Sequence, residues 1–265
     1  MKTITRLLCI VLLAAAGGTM ASEGGVRLEP APASRLDIES LQRGARNFVN
    51  YCLNCHSAQY MRYNRLTDLG ITERQIQDNL MFASNKLGAP MLAVMSKADG
   101  AAWFGVPPPD LSVEARVRGV DWLNSYLLAF YRDEKSTTGW NNLVFPGVAM
   151  PHVLWSLQGT QKLVETVYED HEKAEAAVVA AEALALAERL TSGKYVVKTL
   201  AVDQPGSLSS VKYQQFVGDL VNFLDYMAEP IRNERINIGL VVLIYLGVLF
   251  LFAYALKRAY WKDIH

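Results

Sequence analysis

From Ile236 to Leu256 the chain carries no charged side chain, and no other feature limits its possible folds so strongly. At 1.5 Å per residue a helix of that length covers about 30 Å, the thickness of a bilayer's hydrocarbon core, with little tilt. A helix buried in a water-soluble core normally keeps a polar stripe, and this run has none. Lys257, Arg258 and Lys262 follow it, and Tyr260 and Trp261 suit the membrane interface. The expectation is one transmembrane helix over 236–256 and a cytoplasmic tail of residues 257–265.

The other end explains how the body reaches the far side of that membrane. "MKTITRLLCIVLLAAAGGTMAS" has a basic start (Lys2, Arg6), an apolar stretch from Leu7 to Ala16 and small residues up to Ala21. That is the pattern of a cleaved signal peptide over residues 1–21, too short in its apolar part to span a bilayer. Residues 22–235 then form an exported domain. The 26 basic and 26 acidic residues of the chain become 21 and 25 once Lys2, Arg6, Lys257, Arg258, Lys262 and Asp263 are set aside. So small an excess points to no partner, and nothing argues for nucleic acid.

Cleavage also removes Cys9 and leaves Cys52 and Cys55 in "YCLNCHS", with His56 directly behind. A disulfide across two residues closes a small, strained ring. Zinc would need a second ligand pair that the chain lacks. A redox dithiol needs no histidine after it and normally sits in a βαβ unit. What remains is the C-x-x-C-H sequence of covalent c-type haem attachment. Each thiol adds across a haem vinyl group, and the next residue, His56, faces the iron as proximal ligand.

The body reads as mainly helical. Asp37 is an N-cap for "IESLQRGARNFVNYC", in which Leu41, Ala45, Phe48, Val49 and Cys52 share one face. "TERQ" at 72–75 has capping-box spacing. "APMLAVMSKADGAAWFG" is a weaker helical segment, "VPPPDLS" an extended loop, "GVDWLNSYLLAFYRD" a helix and "TTGWNNLVFPG" a loop. Phe216, Leu220, Phe223, Leu224 and Met227 repeat the apolar offsets of the first helix, and Pro230 separates them from the span. The Ala- and Glu-rich stretch near 163–190 has strong helix propensity and reads as a helical, surface-lying insertion, with "KYVVKTLAV" a short strand after it.

An electron carrier needs a second axial ligand, and a methionine opposite a histidine raises the potential. Met81, Met91, Met95 and Met227 fit packing positions, and Met61 lies too near the attachment site to reach the opposite haem face. Met150 sits in the Gly/Pro-bounded "FPGVAMPHVLW", where a loop can hang a thioether over the haem; His152 is its competitor.

Taken in order, "NYCLNCHS", "PPPDLS", "FPGVAMP" and a terminal membrane helix resemble the cytochrome c1 family, from about residue 37 to the C-terminus. The resemblance implies a class I cytochrome c fold whose first and last body helices cross. It implies one haem c bound by Cys52 and Cys55, with His56 and Met150 as the iron's ligands. Pro108 and Pro109 would line the haem, and Arg118 would meet a propionate. Trp122 stands where the family often has a tyrosine near that propionate. The implied role is one-electron transfer with no substrate chemistry, in the inner membrane with the haem domain periplasmic. Cytochrome b and a Rieske iron–sulfur protein would be its complex partners and a cytochrome c its acceptor. The nearest rival is a monohaem subunit of a terminal oxidase or periplasmic dehydrogenase.

Overall fold

A computed structural model describes residues 26–181 and 184–262; the signal segment expected over 1–21 lies outside them. The first helix, α1 (Ile38–Tyr51), starts where Asp37 accepts a hydrogen bond from the Ser40 amide. Its apolar face, Leu41, Ala45, Phe48 and Val49, is buried. A short strand β1 (Ala58–Arg62) and a 3-10 turn (Tyr63–Leu69) follow, then α2 (Glu73–Asn79), opened by the Thr72–Gln75 capping box.

The segment 89–105 is only half the helix expected of it. Pro90–Met91 forms β2, paired antiparallel with β1, and the helix α3 is confined to Lys97–Phe104. Pro90 cannot donate inside a helix, and Ser96 supplies the N-cap that restarts one. Next come α4 (Glu114–Arg118) and α5 (Val120–Leu128). The segment read as a loop near 140 holds β4 (Trp140–Asn142), paired with β3 (Phe130–Arg132). A short α6 (Trp155–Gln158) leads into the Ala- and Glu-rich stretch.

The stretch from Gly159 to Pro205 is not the helical segment its composition suggests. It runs β5 (Gly159–Tyr168), α7 (His171–Ala180), β6 (Ala185–Arg189) and β7 (Tyr195–Pro205), with the three strands antiparallel in the order β5-β7-β6. Strand pairing overrides propensity here: Ala185 to Arg189 are mostly good helix formers, yet each faces a β7 residue from Thr199 to Tyr195. The segment also does not lie wholly on the surface, since Leu163, Leu184, Leu186 and Leu200 join the main core. Its ends are pinched together: a Cβ on Gly159 would lie 2.1 Å from the Gln204 carbonyl oxygen, and one on Gly206 2.3 Å from that of Leu157.

The last body helix, α8 (Ser210–Ala228), packs on α1. Gly44 makes the contact possible, because a Cβ there would meet the Asp219 carbonyl oxygen at 2.1 Å. Phe48 and Phe223 meet at 5.7 Å between ring centroids. Arg43 clamps the buried Asp219 carboxylate through two N–H donors at 2.6 and 2.9 Å. Pro230 precedes α9 (Arg232–Tyr260), whose apolar side chains from Ile236 to Leu256 are largely exposed, as a membrane-facing helix requires.

A candidate haem pocket

Beyond the end of α1 the chain makes one more turn. The Cys55 and His56 amides both donate to the Cys52 carbonyl, at 3.1 and 2.8 Å. That places the two thiols and the imidazole within one helical turn of each other. The loop after α3 comes up beside them. Three prolines keep residues 107–109 extended, and Asp110 and Ser112 of "PPPDLS" fasten it: Asp110 accepts from the Gln59 amide at 2.9 Å and Ser112 Oγ from the Tyr60 amide at 3.1 Å. The Leu111 amide donates to the Ser57 carbonyl at 2.8 Å.

The result is a contact between the His56 ring and the Pro109 carbonyl, 2.8 Å from Nδ1. Pro109 O can only accept, so Nδ1 carries the proton and the Nε2 lone pair is left for a metal. Burial lowers the His56 pKa, against the opposing pull of the Pro109 carbonyl, Asp110 and Glu114. Burial, with Cys55 adding to it, pushes the Cys52 thiol up to about 12. Both cysteines are free thiols, as vinyl addition requires.

A third segment, residues 143–154, closes the site. Asn142 Oδ1 accepts from the Val144 and Phe145 amides at 2.9 and 3.1 Å, and its Nδ2 donates to the Tyr126 carbonyl at 2.8 Å. Asn141 Oδ1 accepts from the Gly147 amide at 2.9 Å, where φ is +77° and glycine is the residue that turns freely. These bonds hold Met150 toward α5.

Together the three segments form an apolar cavity lined by Cys52, Cys55, His56, Pro108, Pro109 and Met150 among others. Met150 is the one methionine lining it among the described residues; Met61, Met91 and Met227 are buried in the core. His152 is absent from the lining. It is buried in a small apolar layer, stacked on Phe130 at 4.8 Å and edge-on to Trp140 at 5.1 Å, and burial lowers its pKa to about 4 although Gln158 opposes the shift.

Arg118 and Trp122 flank the cavity without lining it. The Arg118 guanidinium lies 4.9 Å above the Trp122 ring and pairs with Glu114 at 3.5 Å. Trp122 Nε1 is buried with no hydrogen-bond partner, a donor suited to a carboxylate at the pocket's edge. The donor set therefore fits a covalently held haem: two thiols and an imidazole on one turn, a soft thioether on another wall and an orphan donor nearby. Sequence reasoning passed over Tyr126, whose hydroxyl donates to Met150 Sδ at 3.4 Å. Its spacing four residues after Trp122, on one face of α5, is the signal that would have found it.

A sequence profile described as the Cytochrome C1 family matches residues 30–89 and 86–264. The cytochrome c1 of Allochromatium vinosum is 44% identical over 98% of this chain and 98% of that protein. A Nitrosomonas europaea protein named ammonia monooxygenase gamma subunit is 42% identical over the whole of both chains. The cytochrome c1 of Rhodospirillum rubrum is 29% identical over 96% of this chain and 94% of its own.

Proposed function

Since the chain belongs to the cytochrome c1 family, we infer that it is the haem subunit of a quinol–cytochrome c oxidoreductase, the cytochrome bc1 complex. It carries one covalently attached haem c, works beside cytochrome b and a Rieske iron–sulfur protein, and passes electrons to a cytochrome c. It is an electron-transfer subunit and performs no substrate chemistry of its own.

When bound, the haem supplies a single iron centre that accepts and releases one electron. The chain's residues do the rest. Cys52 and Cys55 would hold the group through thioethers, which, unlike disulfides, reductants do not cleave. His56 offers Nε2 to the iron while Pro109 fixes the ring's tautomer. Met150 offers a soft, neutral sulfur that favours ferrous over ferric iron and keeps the potential high enough to accept electrons from a Rieske centre. Pro108 and Pro109 exclude water from one side of the cavity. Arg118 and Trp122 serve the propionates, the first by charge and the second through its unpartnered N–H.

The same reading gives the domain a class I cytochrome c fold, with α1 and α8 as its crossing terminal helices. It is cut by the insertion and tied to the membrane by α9. The signal-peptide pattern read over residues 1–21 and the positive tail support a haem domain on the periplasmic face of the inner membrane. One observation carries the proposal: two thiols, an imidazole and a single methionine line one apolar cavity. The test is purification of the full chain in mild detergent. A di-haem b-type cytochrome and a Rieske protein should come with it. Recovery with a terminal oxidase, a dehydrogenase or a monooxygenase in their place would overturn the reading.

A further inference from the structure

Tyr126 is held more firmly than a packing role requires. Its ring is stacked on Trp122 at 5.0 Å and 9°, and the edge of Phe130 closes the other side at 5.1 Å. Its carbonyl is fixed by Asn142 Nδ2 at 2.8 Å. The hydroxyl donates to the Met150 sulfur at 3.4 Å, a weak acceptor. Met150 is itself tied to the Val148–Phe130–Trp140 layer behind it. The hydroxyl and the sulfur are thus held against one shared layer, Phe130, Trp140 and Val148, on which both residues pack.

A thioether sulfur has two lone pairs. One occupied by an O–H leaves the other to face the cavity, which fixes the handedness at sulfur. The same bond draws electron density away from sulfur and turns the positive end of the O–H dipole toward the metal. Both effects disfavour the more highly charged ferric state. We propose that Tyr126 is a positioning residue for Met150, which it orients through the hydroxyl–sulfur hydrogen bond while raising the reduction potential above what an unassisted methionine would give. This rests on Met150 being the axial ligand. Burial pushes the phenol's pKa well above its ordinary value, so the donor stays protonated across the physiological range.

The experiment is redox titration of the detergent-solubilised holoprotein and its Tyr126→Phe variant, with the far-red thioether–iron band of the oxidised state recorded in both. Phenylalanine keeps the ring contacts to Trp122 and Phe130, so thermal stability should hardly change. A net hydrogen bond of ordinary strength corresponds to roughly fivefold in the reduction equilibrium, or ~40 mV at 59 mV per decade. The variant's potential should fall by about that much, with the band retained but displaced. Tyr126→Leu, which also loses the stacking, should drop at least as far. Equal potentials and an unmoved band in Tyr126→Phe would overturn the inference while leaving the ligand reading intact. A wild-type protein without the thioether band would show that Met150 is not the ligand, and both readings would fall.

Discussion

The pocket wall and the inserted sheet satisfy their backbones in opposite ways. Around the cavity the chain leans on borrowed side chains: Asp110 and Ser112 accept the Gln59 and Tyr60 amides of the short strand β1, and Asn141 and Asn142 accept the Gly147 and Val144 amides of the loop after β4. In the insertion, β5 and β7 pair from Gly159↔Pro205 to Tyr168↔Tyr195, and β6 extends the ladder. The wall surrounds a space and needs a guest to complete its packing; the sheet is complete without one. A structure can thus place its least self-sufficient backbone where the cofactor goes, and its most self-sufficient backbone where function makes no demand.

The sharpest way to break that contrast is to remove the guest's anchors. Cys52→Ser or Cys55→Ser should leave one thioether and a poorly assembled, proteolysed holoprotein, because the haem fills much of the interior. Pigment that survives acid–acetone extraction in wild type and extracts freely in a double variant is the expected result. Pigment extracting freely from wild type would sink covalent attachment.

Next in size is Met150→Lys, which replaces a soft sulfur by an amine that favours ferric iron. The potential should fall by a few hundred millivolts on a haem range of about 0.8 V, stalling transfer from the Rieske centre. His152→Gln is the matched control: it lies outside the cavity, so the low-spin spectrum should persist although the stacking on Phe130 is weakened. A low-spin spectrum lost in His152→Gln and kept in Met150→Leu would mean two histidines as ligands.

A smaller effect on the pocket, and a larger one on stability, is expected from Gly44→Ala. The added methyl group collides with the Asp219 carbonyl, so α1 must shift off α8, at about 1–3 kcal/mol for overpacking. Calorimetry should show a lower Tm with the haem spectrum kept; an unchanged Tm would mean the helices do not meet there as closely as described. The smallest effect on the haem belongs to Val197→Asp. Val197 is buried within β7, and an unpaired carboxylate there should loosen the sheet. Increased protease cutting between residues 168 and 195 with an unchanged potential is the expected pair of results. A shifted potential would show that the sheet shapes the pocket after all.

The same contrast decides what could be read from one sequence. Cys52, Cys55, His56 and Met150 stood out because their chemistry admits few uses in that order, and the structure gathers them around one cavity; the twin apolar faces of α1 and α8 follow from helical spacing. The strands between residues 159 and 205 were not legible, because Ala185–Arg189 owe their conformation to pairing with β7 across an intervening turn, and composition records only the preference of each residue alone. Tyr126 lay between: its position was readable, but its aim at a sulfur depends on a loop pinned by Asn141 and Asn142.

The glycine pinch at 159 and 206 has a further consequence. The chain leaves the cytochrome body and returns at nearly the same point, with Ser207 and Leu208 donating back to Ser156 and Leu157 at 3.0 and 3.1 Å. Whatever hangs beyond that gate changes the closure entropy only as the logarithm of its length. Length at this point is therefore a nearly free variable for evolution, and a foreign domain spliced beyond the gate would ride on the subunit like a pennant on a fixed staff.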